Sequence, residues 1–130
     1  MDVSRLASLR CRVVSPFGEL DLVTAAAFRH SLDGGDAGFA PAVPRLVVDL
    51  TAVTFMDVSP LHELCAVRLR SHERAGWVRL VYASRAIDRL LWGTRLTGRF
   101  PRYATVADAR AGRVADDAHE YVAVLPRHRR

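Results

Sequence analysis

Lysine is absent from this chain: its 19 basic side chains are all arginine, set against 14 acidic ones for a net charge of +5. Such a balance invites a nucleic-acid reading, which needs the charge gathered on one face with aromatics beside it to stack on bases. Neither condition is met. The arginines are spread along the sequence, the one dense group being the terminal Arg127-His128-Arg129-Arg130, and aromatics make up 8% without interleaving among them. Arginine-only usage is also what a GC-rich coding sequence produces. No nucleic-acid partner is expected.

Cysteine is scarce too. Cys11 and Cys65 each lie inside an apolar pattern, and neither belongs to a C-x-x-C pair. They read as small buried thiols. No His/Cys cluster has ligand spacing, so neither a metal nor a cofactor is expected. No apolar run approaches the roughly 20 residues that a membrane span needs. The opening MDVSRLASLR lacks the apolar centre of a secretory signal, and the compartment implied is the cytoplasm.

Catalytic signatures are missing as well, with no G-x-S-x-G elbow and no glycine-rich phosphate loop. Asp57, Ser59 and His62 lie close in sequence, but a triad needs a base that reaches the nucleophile and a carboxylate that orients the base. A histidine three residues after a helix-starting serine is placed for solvent instead. The chain reads as a non-enzyme.

What is present is a core-forming composition, 50% apolar over 130 residues, which suits one domain without repeats. The stretch around which the rest is organised is LVVDLTAVTFMDVSPLHELCAVRL, from Leu46 to Leu69. A β-branched run ending at Asp49 reads as a buried strand. After a turn come Asp57-Val58-Ser59-Pro60, then apolar residues at helical spacing, with Leu61, Leu64, Cys65 and Leu69 assigned to one face. Ser59 is placed to cap this helix and Pro60 to occupy its first turn, where a missing N–H costs nothing. Hydroxyl, carboxylate and free backbone N–H groups thus converge at one surface point.

Phe-Met-Asp-x-Ser between a strand and a helix resembles the core of the STAS domain, shared by anti-sigma factor antagonists and the cytoplasmic tails of sulfate transporters. The family's usual Asp-Ser-Ser-Gly-Leu stands here as Asp57-Val58-Ser59-Pro60-Leu61. A second hallmark, Gly-Glu-Leu-Asp followed by Thr-Ala, occurs earlier at Gly18 to Ala25. A third, Phe-x-x-Tyr-x-Thr-x-x-x-Ala, begins at Phe100. The resemblance spans about residues 8 to 113. It implies a single α/β domain, a mixed sheet of four to five strands with helices packed mainly on one side.

The remaining elements follow in order. Leu9 to Val14 reads as a strand, punctuated by Ser15-Pro16-Phe17-Gly18. Asp21 is a natural N-cap for a helix whose inner face holds Leu22, Ala25, Ala26 and Phe28 and which fades at Leu32. Asp33 to Pro44 is Gly-, Ala- and Pro-rich and reads as a mobile surface loop. The helix after Pro60 ends near Glu73, with Gly76 as its left-handed C′ residue. Trp77 to Ala83 reads as a strand, and Ser84 as the cap of a helix from Arg85 to Trp92 with Ile87, Leu90 and Leu91 inside. Thr94-Arg95-Leu96 replaces a Thr-Gly-Leu turn frequent in the family. Phe100, Pro101 and Tyr103 form an extended return, and Thr105 with Asp108 makes a variant capping box for a last helix, Val106 to about Arg113. The domain is placed at residues 1–117, and 118–130 form an extension with a basic, flexible end.

The resemblance also implies a function. In anti-sigma factor antagonists the residue after the loop aspartate is the serine phosphorylated by the partner kinase. Phosphate there adds about −1.5 to −2 charges at a helix N-terminus and breaks the complex. Here that position is Val58, which has no hydroxyl. Ser59 is a substitute acceptor only if it is released from capping. The expected surface comprises Asp21, Asp57, Val58, Ser59, Pro60 and Leu61, and the expected partner is a serine kinase-type anti-sigma factor bound without the usual switch. Alternatives are a STAS subunit of another assembly, such as a lipid-transport ATPase or a stressosome-like scaffold, and a small-molecule sensor. Oligomeric state is not legible.

Overall fold

Strand β3 (Arg45–Asp49) carries the run RLVVD, and its side chains part to two buried faces. Leu46 and Val48 go to one core, Val47 to another. A strand apolar on both faces belongs inside a parallel sheet covered on each side, and β3 sits there. The computed structural model describes residues 11–34 and 44–116. Among them β1 (Arg12–Val14), β3, β5 (Trp77–Val81) and β6 (Arg102–Tyr103) form a four-stranded sheet in the order β1-β3-β5-β6, with every pairing parallel.

A second sheet pairs β2 (Gly18–Leu20) with β4 (Val53–Met56), again in parallel, with a register shift at Gly18/Glu19. The α/β class agrees with the sequence reading, but the second sheet is not expected from it: β2 and β4 fall where that reading places turns, giving six strands in two sheets among the described residues instead of one sheet of four to five. The mixed pairing differs as well: the connections among the described residues return each strand in the same direction. Between β3 and β5, for example, the chain passes through β4 and a long helix.

Four helices lie among the described residues: α1 (Ala25–Leu32), α2 (Ser59–Glu73), α3 (Arg85–Gly93) and α4 (Val106–Ala111). The larger core joins the first sheet face to Phe28 and Leu32 of α1, Leu61, Leu64 and Val67 of α2, and Ile87 and Leu91 of α3. The smaller core joins Val47, Val81 and Tyr103 to Ala109 of α4. Helical cover is therefore mainly one-sided, as expected. On the thinner side Arg79 does the work of an apolar residue: its guanidinium stacks 3.7 Å from the Trp77 ring centre and donates from Nη1 to the Ala109 carbonyl at 2.8 Å.

Two helix faces differ from the periodicity reading. Leu69 is 62% exposed, while Val67 and Ser71 are buried. At about 100° per residue, Leu69 lies some 140° around α2 from Leu64, so the inner stripe runs Leu61, Leu64, Val67, Ser71. Leu22, expected on the inner face of α1, is 77% exposed, because α1 begins only at Ala25 and Leu22 sits in the preceding turn. Cys11 and Cys65 are half-buried, free and packed against the cores.

The end of α2 also differs. Ala75, not Gly76, takes the left-handed conformation, at φ 62°. Gly76 is required for another reason: a Cβ there would fall 1.7 Å from the carbonyl oxygen of Pro44, which accepts the Trp77 N–H at 2.9 Å and so starts the β3–β5 pairing. Ser84 and Thr105 cap as anticipated, accepting the N–H groups of Ile87 and Asp108. Helix α4 stops at Ala111, one residue before Gly112 in the left-handed region, rather than reaching Arg113. Residues 9 and 10, most of the expected loop from Asp33 to Pro44, and the extension 118–130 lie outside the described residues.

Candidate functional site

Strands β2 and β4 end side by side. Leu20 is in register with Met56, and the next residue of each strand is an aspartate, Asp21 and Asp57. The Asp57 N–H donates to the Leu20 carbonyl at 3.1 Å, so the last rung of the ladder joins the two loops. Both expected aspartates thus leave the same edge of the small sheet.

Each carboxylate then organises the turn ahead of it. Asp21 Oδ1 accepts the N–H groups of Val23 at 3.0 Å and Thr24 at 3.1 Å. This is the bonding of an N-cap, applied to the turn before α1 rather than to the helix itself; Thr24 holds the N-cap position. Thr24 completes the loop: its Oγ1 accepts the Asp21 N–H at 2.9 Å and donates to the Glu19 carbonyl at 3.0 Å. Sequence reading passed over Thr24 as a site organiser. The signal was the Asp-x-x-Thr spacing, which suits reciprocal side-chain to backbone bonds.

At the second loop, the Asp57 carboxylate accepts the Ser59 N–H at 2.8 Å. Val58 occupies the N-cap position of α2, and Ser59 is its first residue, with no side-chain cap bond at this end. Ser59 as N-cap is therefore corrected. A carboxylate two residues earlier already satisfies its N–H, and Val58, in the αR region, has begun the helix one residue sooner than the serine pattern suggested. Pro60 lies in the first turn, where it displaces no intrahelical bond, and is buried together with Leu61. These two belong to the floor of the site and support it from below. Both aspartates stand where a helix dipole favours negative charge.

Solvent meets a different set of side chains. Val58 is 59% exposed, and Leu22 and Val23 of the first loop are 77% and 89% exposed. Ser59 is half-buried beside Val58. The two carboxylates hold their loops in shape, while three aliphatic side chains form the outward surface. Such an arrangement can bind an apolar patch on another protein; it offers no paired nucleophile and base. His62, beyond Leu61, is exposed. Among the described residues no group of three or more His, Cys, Asp and Glu side chains could hold a metal, and no helix is long and apolar enough to cross a membrane.

The STAS domain family model matches residues 5–109. The solved structure of an anti-sigma factor antagonist from Mycobacterium paratuberculosis is 33% identical, with a TM-score of 0.66 over 77% of this chain and 82% of that one. The anti-sigma factor antagonist SpoIIAA in its unphosphorylated form is 19% identical, with a TM-score of 0.61 over 82% of this chain and 93% of that one, and shows likeness of fold. No curated protein matches.

Proposed function

This chain belongs to the STAS domain family, and from that premise we propose that it is a cytoplasmic, non-catalytic regulator of the anti-sigma factor antagonist type, bound to its partner without a phosphorylation switch. The partner is a serine kinase-type anti-sigma factor. The contact surface is the pair of loops anchored by Asp21 and Asp57, with Val58 at its centre and Ser59 beside it.

One observation carries the reading: Val58 is 59% exposed at the start of α2, where the family resemblance puts the phosphoacceptor. A serine there would place a phosphate against the free N–H groups and positive dipole end of the helix. Valine gives a methyl pair that gains free energy by losing contact with water. Negative charge can no longer be added at that point, so the complex persists whether or not ATP is present. Ser59 makes no capping bond and so stands as the alternative acceptor, half-buried next to Val58; in this reading it stays unmodified.

The test uses the full chain as bait in a lysate of its host, with and without ATP. Retention of an anti-sigma kinase equally in both conditions supports the proposal. Loss of the kinase with ATP, together with one phosphate on Ser59, overturns the unswitched reading. Capture of a transporter ATPase or of a large scaffold in its place would move the chain to another STAS assembly.

A further inference from the structure

Helix α3 ends in a surface turn that carries one aromatic side chain and two arginines. Trp92, in the last turn of the helix, is 63% exposed. The Arg95 N–H donates to the Trp92 carbonyl at 3.1 Å and the Arg99 N–H to the Leu96 carbonyl at 3.0 Å, so all three residues share one tight loop. Both arginines are exposed, and among the described residues neither guanidinium has a hydrogen-bond, ion-pair or ring partner. Arg89 and Arg102 belong to the same stretch but have partners of their own, Arg102 the Tyr82 carbonyl. No carboxylate occurs in residues 89–107. We propose that the acidic segment following the described domain, Asp117 to Leu125, docks in cis on the surface formed by Trp92, Arg95 and Arg99.

Position supports it first. The Ala115 N–H donates to the Arg102 carbonyl at 2.9 Å, which brings the chain after α4 back against the start of β6. Arg102 is three residues from Arg99, no more than about 10 Å along the backbone. The nine residues from Asp117 to Leu125 can span up to about 30 Å. The segment therefore begins beside the surface and is long enough to cross it.

Complementarity supplies the second argument. Asp116, Asp117 and Glu120 bring three carboxylates to the two unpartnered guanidiniums, and Tyr121 and Val122 follow as apolar side chains for the Trp92 ring. Basic residues begin only at Arg127, beyond the segment. Guanidinium and carboxylate pair through two parallel N–H donors, and Trp and Arg are the side chains that most often anchor an interface. An exposed ion pair by itself contributes little. Tethering changes the balance, because a short linker holds the segment at an effective concentration of about millimolar. Contacts too weak to retain a separate peptide are then sufficient. The surface shares no residue with the two recognition loops, so its success or failure is independent of the reading given above.

The experiment is acrylamide quenching of tryptophan emission in the full chain, with Trp77, stacked on Arg79, as a constant background. Docking should shield Trp92 and shift its emission to the blue. Arg95→Glu with Arg99→Glu should abolish both effects, as should Asp117→Arg with Glu120→Arg. Combining all four substitutions exchanges the charges and should restore the shielding. Unchanged thermal unfolding of the arginine variants, both at exposed positions, would show that the fold is intact. Equal quenching of the unsubstituted chain and both pairs of variants would overturn the proposal. Loss of shielding that the combined variant does not restore would overturn it too, since the two sets of residues would not be in contact. Shielding that grows with protein concentration would place the segment on a second copy and overturn docking in cis.

Discussion

The N–H of Asp57 donates to the carbonyl of Leu20 at 3.1 Å. That one bond fixes the loop after β4 against the loop after β2, and two motifs far apart in sequence become one surface. It also leaves the Asp57 side chain free to turn forward and hold the start of α2.

Capping at α2 should therefore depend on Asp57 and not on Ser59. Asp57→Ala removes the acceptor of the Ser59 N–H and should cost about 1 kcal/mol, within the range for lost helix caps. Ser59→Ala should change stability by less than about 0.5 kcal/mol. Urea unfolding of the two variants checks the order, and a larger loss for Ser59→Ala would restore the serine cap.

Val58 should be the point at which charge controls association. Val58→Asp should weaken binding to the anti-sigma kinase at least tenfold, since it sets a carboxylate against an apolar contact at roughly the cost of an unpaired polar group. Val58→Ser should create a phosphoacceptor and make the complex ATP-sensitive. Surface plasmon resonance and intact-mass measurement read the two results. Unchanged affinity for Val58→Asp would remove Val58 from the interface.

On α2 the two leucines should behave in opposite ways. Leu64 is fully buried, and Leu64→Ala should cost about 2–5 kcal/mol. Leu69, at 62% exposure, should tolerate alanine within about 0.5 kcal/mol. Thermal unfolding of the pair separates the observed inner stripe from one that runs through Leu69.

The turn between α2 and β5 offers a third contrast. Gly76→Ala would bring a methyl group onto the backbone of Pro44, which cannot swing aside, and should destabilise by at least about 1–3 kcal/mol. Ala75→Gly should stabilise by up to about 1 kcal/mol, because Ala75 sits at φ 62° where an L side chain is strained. Arg95, the middle residue of Thr94-Arg95-Leu96, is left-handed too, at φ 62°.

Local chemistry carried much of this molecule into view without coordinates. The caps at Ser84 and Thr105 were legible because an N-cap involves residues three apart and little else. The run LVVD announced a buried strand through its lack of alternation, and the Asp-x-Ser and Gly-Glu-Leu-Asp motifs pointed to the loops that form the candidate site. What the chain alone could not settle were matters of contact. Whether Leu69 or Val67 faces inward depends on where the neighbouring elements lie around α2. The need for glycine at position 76 arises from Pro44, which is more than thirty residues away in sequence. Ser59 lost the capping role to a carboxylate whose direction is set by a bond to β2. The sequence by itself determined the helices, the strands of the main sheet, the family and the aspartates of the two loops. Tertiary structure decided which faces those elements bury, because burial is a property of pairs of elements and each carries only its own half of the pattern.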